Sequence, residues 1–447
     1  MKKQLTIGFI TSVSGRWPRE LPQSRKKEYG AWLRENLEDT RIVEFGELVD
    51  SPQRTAEAAV ALREAGVDLV VMVYGAFSGD DICTRISEEL KAPVILWAPY
   101  EPPFTGGRLI SNALVAVTMN AASMHRLAQK YHVVYGSLDD EAAANEVRSL
   151  IRAYSVIRQL RGTLFGLFGY RPTAFYNSAF DEGLIRRTFG IRFEETSLKT
   201  VFDRMQSLPE NEILDDMQKM TDRYDVSALP EGHLHNHSAL FLALSQIFEE
   251  QGYRCAAMKC WPEMGALHTT PCAVLGRLSD NDIHISCEGD VDAGITMLVQ
   301  NMLTGLPCFV TDMIDIDQKE NTMLFWHCGN AAESLSDEKK CTELRNHPLA
   351  GQGTAFCAAL KSGEVTAARF CNIGGVYKLF LLSGAAVDTE LVTPGSIVKV
   401  KVDIPVREAV SRIFEEGIPH HYSLVWKNVA QEMKLIAKIM GLEVIEL

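Results

Sequence analysis

At 447 residues the chain is too long for one ordinary hydrophobic core, so two or three domains are expected. Hydrophobic residues make up 46% and charged residues 23%, the balance of a globular protein rather than a membrane-spanning or disordered one. Lys plus Arg total 45 against 58 Asp plus Glu, a net charge of −13 with no basic stripe to offset it, which argues against nucleic acid as a partner.

The opening Met1-Lys2-Lys3 is followed by an apolar run too short and too β-like for a signal peptide. No later segment offers the roughly 20 apolar residues of a membrane helix, so no membrane association is expected. The ten cysteines form no CxxC pair or repeating framework, which suits reduced thiols and a cytoplasmic location. Cys255, Cys260 and Cys308 lie among apolar neighbours and read as core.

Strand and helix patterns alternate through the first hundred residues. Leu5 to Thr11, Arg41 to Phe45, Val67 to Val73 and Pro93 to Ala98 read as strands; Gln23 to Asn36, Ser51 to Ala65 and Gly79 to Leu90 read as helices. Such β-α-β repetition with apolar strands implies a parallel sheet covered on both faces. No GxGxxG follows the first strand and no GxxxxGK[ST] occurs, so nucleotide cofactors have no support. The turns at the strand ends, among them Ser14-Gly15-Arg16-Trp17-Pro18, carry aromatic and Arg residues of the kind that bind small polar ligands or make packing and subunit contacts.

Asp139 to Arg161 reads as a long helix, and Thr163 to Gly169 starts a second α/β unit, which places a boundary near residue 160. Helices follow over Leu198 to Gln206 and Glu210 to Tyr224. His233, His235 and His237 then alternate: on an extended segment they would share one face and mimic a metal site, whereas at a helix start they splay apart. Gly252 to Lys259 is a strand, after which Pro262 breaks pairing and leaves Glu263 beyond the strand end. Cys272 to Gly276 and His284 to Cys287 add β-character. They lead into Cys287-Glu288-Gly289-Asp290-Val291-Asp292, with acids at three alternate positions before the helix Val291 to Leu303.

Carboxylates at a strand-to-helix junction can bind a hard divalent cation, move a proton or cap the helix. Gly305 to Asp312 is a strand, and Phe325 to Asn330 reads as a polar loop. Val365 to Cys371, Gly375 to Ser383 and Ser396 to Val402 are β-rich runs that suggest a small antiparallel barrel; Gly417-Ile418-Pro419-His420-His421 and a helix from Val425 to Gly441 close the chain. The expected architecture is two parallel-sheet α/β domains (1–160 and 161–345) followed by a small antiparallel β-barrel domain (346–447) that carries the His-His loop.

Glu263 and Asp290 lie at what read as neighbouring strand ends, with His420 or His421 available from another domain. Two acids, one imidazole and open positions favour Mn²⁺, Mg²⁺ or Co²⁺ over a closed structural zinc site. The segments Cys260-Trp-Pro-Glu-Met, Cys287-Glu-Gly-Asp-Val-Asp-Ala-Gly, Phe325-Trp-His-Cys-Gly-Asn and Gly417-Ile-Pro-His-His together resemble the L-fucose/L-arabinose ketol-isomerase superfamily, more its L-fucose isomerase side. The resemblance covers nearly the whole chain. It implies Mn²⁺ held by Glu263, Asp290 and one of His420 and His421, with the two acids also moving protons. The arabinose branch has a second His soon after its second acid; none occurs here between His284 and His327. The implied reaction interconverts an aldose and a ketose through a cis-enediol, on a hexose or a 6-deoxy or 6-substituted hexose. One acid would remove the proton and the other handle the hydroxyl or return the proton, with the order open and Glu263 our choice for the base.

Glu288 then orients a ligand or lies at the surface, and His327 and Asn330 hydrogen-bond sugar hydroxyls or serve the fold. Members of that superfamily are homo-oligomers (trimers or hexamers) in which the first domain of one subunit walls a neighbour's site. This would give Arg16 and Trp17 a use at the far end of the substrate, and a cation there suits a sulfonated or phosphorylated sugar. The competing reading from a different class is a non-catalytic sugar-binding or regulatory protein on the same scaffold.

Overall fold

The computed structural model describes residues 4–37, 39–340 and 342–447, so the opening Met1-Lys2-Lys3 lies outside the described residues. The chain divides into two compact units, Met1–Gln159 and Leu160–Leu447.

The first unit is built on strands β1 (Leu5–Ser12), β2 (Thr40–Glu44), β3 (Leu69–Tyr74), β4 (Val94–Ala98) and β5 (Tyr131–Tyr135), paired in parallel in the order β2-β1-β3-β4-β5. Every residue of β1, β3 and β4 is buried, as expected for apolar strands with helices on both sheet faces. Helix starts follow local chemistry: the Ser51 hydroxyl accepts the Arg54 N–H, and Pro52 occupies the first helical position, where a missing N–H costs nothing. Helix Ala113–Arg126 and strand β5 were not anticipated. The residues of β5 are mostly half-buried or exposed, so this edge strand lacks the apolar run that marks its neighbours.

The second unit opens with β6 (Leu164–Phe168), β7 (Arg192–Thr196), β8 (Cys255–Met258) and β9 (Ile285–Ser286), a parallel sheet in the order β7-β6-β8-β9. The strand order reverses between β6 and β8, and ligands of such sheets bind outside the carboxyl ends at that point. Cys272–Ser279 is a helix, against the β-character read for this stretch; it is almost wholly buried, and a short apolar run carries no period that separates helix from strand.

Nine strands complete the unit: β10 (Phe309–Asp317), β11 (Thr322–His327), β12 (Glu343–Asn346), β13 (Thr354–Ala359), β14 (Gly363–Ile373), β15 (Val376–Val387), β16 (Ser396–Val402), β17 (His421–Val425) and β18 (Glu443–Glu446). Six of them close an antiparallel barrel in the order β10-β11-β16-β15-β14-β17 and back to β10. Phe325, Phe380, Val398, Val400 and Leu424 belong to the hydrophobic cluster of the barrel region. β10 and β11, read from sequence as part of the central region, are ring strands, so the barrel begins at Phe309 rather than near residue 346. Phe325 to His327, read as loop, is the end of β11, and His421 to Val425 is a strand that precedes the final helix Ala430–Met440.

Candidate active site

The carboxyl ends of β6, β8 and β9 deliver three segments to one edge of the second unit's sheet: Gly169-Tyr170-Arg171, Lys259 to Glu263, and Cys287-Glu288-Gly289. Glu288 and Gly289 both adopt left-handed backbone (φ 58° and 62°), a conformation that costs a side-chain-bearing residue energy and is retained where function needs it. A Cβ on Gly289 would lie 2.1 Å from the Tyr170 carbonyl oxygen. Gly289→Ala is therefore expected to cost about 2–5 kcal/mol, combining left-handed strain with overpacking, and to lower the thermal midpoint. An unchanged melt would show that the β6 loop yields freely.

The barrel supplies the rest. Its register sets Asp312 of β10 directly opposite His421 of β17 and Trp326 of β11, so His327 is the next residue along. His421 is completely buried, and its Nδ1 lies 2.9 Å from Asp290 Oδ2. Asp290 also receives both guanidinium nitrogens of Arg369, at 2.8 and 3.1 Å, and caps helix Val291–Thr304 by accepting the Ala293 N–H at 3.0 Å. Burial pushes the Asp290 carboxyl up, but Arg369 and His421 outweigh it and hold the group well below the usual carboxylate range. An ionised Asp290 fixes a proton of His421 on Nδ1. Burial lowers the imidazole's pKa, but Asp290, Asp312 and Glu288 outweigh it and raise it, so Nε2 is held where a positive charge, a proton or a cation, is favoured.

That nitrogen faces two acids. Nε2 lies 3.6 Å from Glu288 Oε2 and 3.8 Å from Asp312 Oδ1, and neither Nε2 nor Asp312 Oδ1 has a hydrogen-bond partner although both are buried. The neighbouring imidazoles are of the opposite kind. Asn177 donates to His420 Nδ1 at 2.6 Å, which leaves Nε2–H to donate to Glu288 Oε2 at 3.3 Å. The Cys328 N–H donates to His327 Nδ1 at 2.9 Å, so the neutral ring carries its proton on Nε2; burial lowers its pKa and favours the neutral form. Among the described residues, two groups have the spacing to hold a metal ion, Glu288 with His327 and His421, and Asp312 with His420 and His421. His421 is common to both. His420 turns an N–H toward Glu288 and His327 carries its proton on Nε2, while Glu288 and Asp312 turn carboxylate oxygens toward His421.

The residues singled out from sequence fall into place unevenly. His420, His421, Glu288 and His327 come together. Asp290 stands behind His421, with its oxygens occupied by Arg369, His421 and a backbone N–H, and it is in neither group with metal-holding spacing among the described residues; nor is Glu263. The Glu263 side chain is 44% exposed and paired with Lys259 at 2.5 Å. It lies two residues from Trp261, whose ring meets Phe175, and Phe175 in turn meets the His420 ring. Asn330 is buried and donates to the Val310 carbonyl at 3.0 Å, tying the loop after β11 to β10. Arg16 and Trp17 lie in the turn after β1 of the first unit, where the Arg108 guanidinium covers the Trp17 ring at 4.9 Å and donates to the Arg16 carbonyl. Asp312 was missed as a site residue: read as the last residue of a strand, it is instead a mid-strand residue whose partner only the barrel register reveals.

His233, His235 and His237 open the helix His233–Gln251 and splay apart; His235 meets Glu210, and His237 bonds Thr354. Cys255, Cys260 and Cys308 are buried free thiols. Among the described residues, no helix is long and apolar enough to cross a membrane.

In the second unit, the carboxyl edge of a parallel sheet and a closed barrel bring a carboxylate–imidazole cluster together as the candidate site. No family model matches the chain. It is 26% identical over 382 residues to a sulfoquinovose isomerase of Alkalicoccus urumqiensis, covering 85% of this chain and 86% of that protein. Sulfoquinovose isomerases of Clostridium sp. (strain MSTE9) and Priestia megaterium (strain ATCC 12872 / QMB1551) are 27% identical over 385 residues and 24% identical over 426 residues. They cover 84% and 95% of this chain, and 85% and 95% of their own lengths.

Proposed function

We propose that this chain is an aldose–ketose isomerase acting on a sulfonated aldohexose, with a divalent cation held at His421 together with Glu288. The observation that carries the reading is the cluster itself: an imidazole nitrogen turned toward two carboxylates, with His421 Nε2 and Asp312 Oδ1 buried and unpartnered. An imidazole nitrogen set against carboxylates favours a positive charge at that point, and acids with an imidazole suit a hard ion such as Mn²⁺. The relatives support the reaction and the sulfonated substrate, since their name specifies both.

When bound, the cation supplies Lewis acidity to two adjacent sugar oxygens as negative charge grows on them. Asp290 and Arg369 hold His421 in one tautomer and one orientation. His420 steadies Glu288 through its Nε2–H, and His327 Nε2–H is free to donate to a sugar oxygen. Glu263, outside the ion-holding groups, moves the proton between C1 and C2. Lys259 keeps it ionised: burial raises its carboxyl, and the Lys259 hydrogen bond and charge bring it below its ordinary value.

The test is incubation in D₂O, with and without Mn²⁺ after chelation, of sulfonated, phosphorylated, neutral and 6-deoxy hexoses. The sulfonated aldose is expected to give its ketose with deuterium at the exchanging carbon, in the metal-loaded protein only. Full turnover by the stripped protein, or no exchange on any sugar, would overturn the proposal.

A further inference from the structure

A sulfonated sugar brings an anion to a site whose reacting end already carries carboxylates, so a cation must meet its far end. Most cations around the cluster are spent: Lys259 is paired with Glu263, and Arg369 with Asp290. Arg171 is different. It follows β6 at the point where the sheet order reverses, and its Cα would lie 3.1 Å from a Cβ on Gly289, the residue after Glu288. Its guanidinium is held by the rings of Tyr170 and Tyr176, at 5.4 and 5.0 Å, and Nη1 donates to the Pro172 carbonyl at 3.3 Å. Its Nε is buried without a hydrogen-bond partner. The loop that Arg171 begins runs on to Phe175 and Asn177, both against His420.

An orphaned guanidinium N–H costs about 1–3 kcal/mol unless something accepts from it. The Nε and Nη2 edge of an arginine is the fork that matches two oxygens of a tetrahedral anion, and stacking on aromatic rings fixes its orientation in advance. We propose that Arg171 is the specificity-determining residue of the site and receives two oxygens of the substrate's sulfonate. The inference rests on the isomerase reading and adds the residue that selects the charged substrate over its neutral counterpart.

Arg171→Gln is expected to lower kcat/KM for the 6-sulfonated hexose about 100-fold, and to change that for the 6-deoxy hexose, or its inhibition constant, less than threefold. The expected size is that of a charge-assisted bidentate pair. Equal losses on both sugars would make Arg171 a structural residue, and no loss on either would remove it from the site; both overturn the inference. A second measurement on the unmodified protein guards against misfolding of the variant. Phenylglyoxal labelling of the Arg171 peptide should be suppressed by the sulfonated hexose but not by the 6-deoxy hexose, and labelling unaffected by either sugar overturns the inference. If the wild-type protein turns over no sugar, the isomerase reading fails by itself, while the labelling still reports whether Arg171 meets a sulfonate.

Discussion

Glu288→Gln and Glu263→Gln are expected to fail in different ways. Glu288 faces His421 and accepts from His420, so its amide would place an N–H or a weak carbonyl where charge is needed. Cation affinity should fall by at least the roughly 100-fold that loss of a mere supporting partner can cost, and turnover should fall with it. Glu263 lies outside the groups with metal-holding spacing, so its amide should leave cation affinity within about threefold. Turnover should fall about 10²–10⁴-fold, the usual contribution of a positioned general base. Titration calorimetry with Mn²⁺ and steady-state kinetics on the two variants separate the roles. Weakened cation binding in Glu263→Gln would move that residue into the ion's coordination sphere, and wild-type turnover would remove it from the chemistry. Because Glu263 is partly exposed, its variant should melt close to the wild type.

Asp290→Asn is expected to be the most destabilising single change near the site. Asp290 and Arg369 are each about 1% exposed, and removing one partner of such a pair leaves a buried charge uncompensated, at a cost of about 3–5 kcal/mol. The helix cap is not the reason, since Asn caps as well as Asp. In a unit of this size the thermal midpoint should drop by roughly 5–10 °C. Turnover should drop too, because the asparagine turns an N–H toward either Arg369 or His421 and releases the imidazole's fixed tautomer. Pairing Asp290→Asn with Arg369→Met should recover part of the lost stability but none of the activity. A double variant no more stable than the single one would mean that the guanidinium is not what the aspartate offsets.

Much of the fold was legible because its signals are local. The buried runs of β1, β3 and β4, the Ser51-Pro52 helix start and the Val291–Thr304 helix behind its acids all read directly from residue pattern. The edge strand β5 and the short helix at Cys272 did not, since the one is half-exposed and the other has no period. Within the site, the acidic Cys287 to Asp292 stretch and the His420-His421 pair were marked by their residue types. Which acid faces His421 Nε2 was not. Glu288 and Asp290 differ in a left-handed backbone turn and in the presence of Arg369, which is 79 residues away in sequence from Asp290. Asp312 depended on cross-strand register, a property of two segments that neither one displays alone.

The barrel ring has a temporal consequence. β17 is its last strand in the chain and hydrogen-bonds both β10 and β14, so the cylinder is sealed only when residues near 421 emerge and slot between partners made much earlier. The same event carries His421 to Asp312 and Asp290. Pairings so distant in sequence form slowly. A nascent chain stopped short of this staple would hold two open edges and no assembled cluster, so closure of the barrel and assembly of the centre are one step.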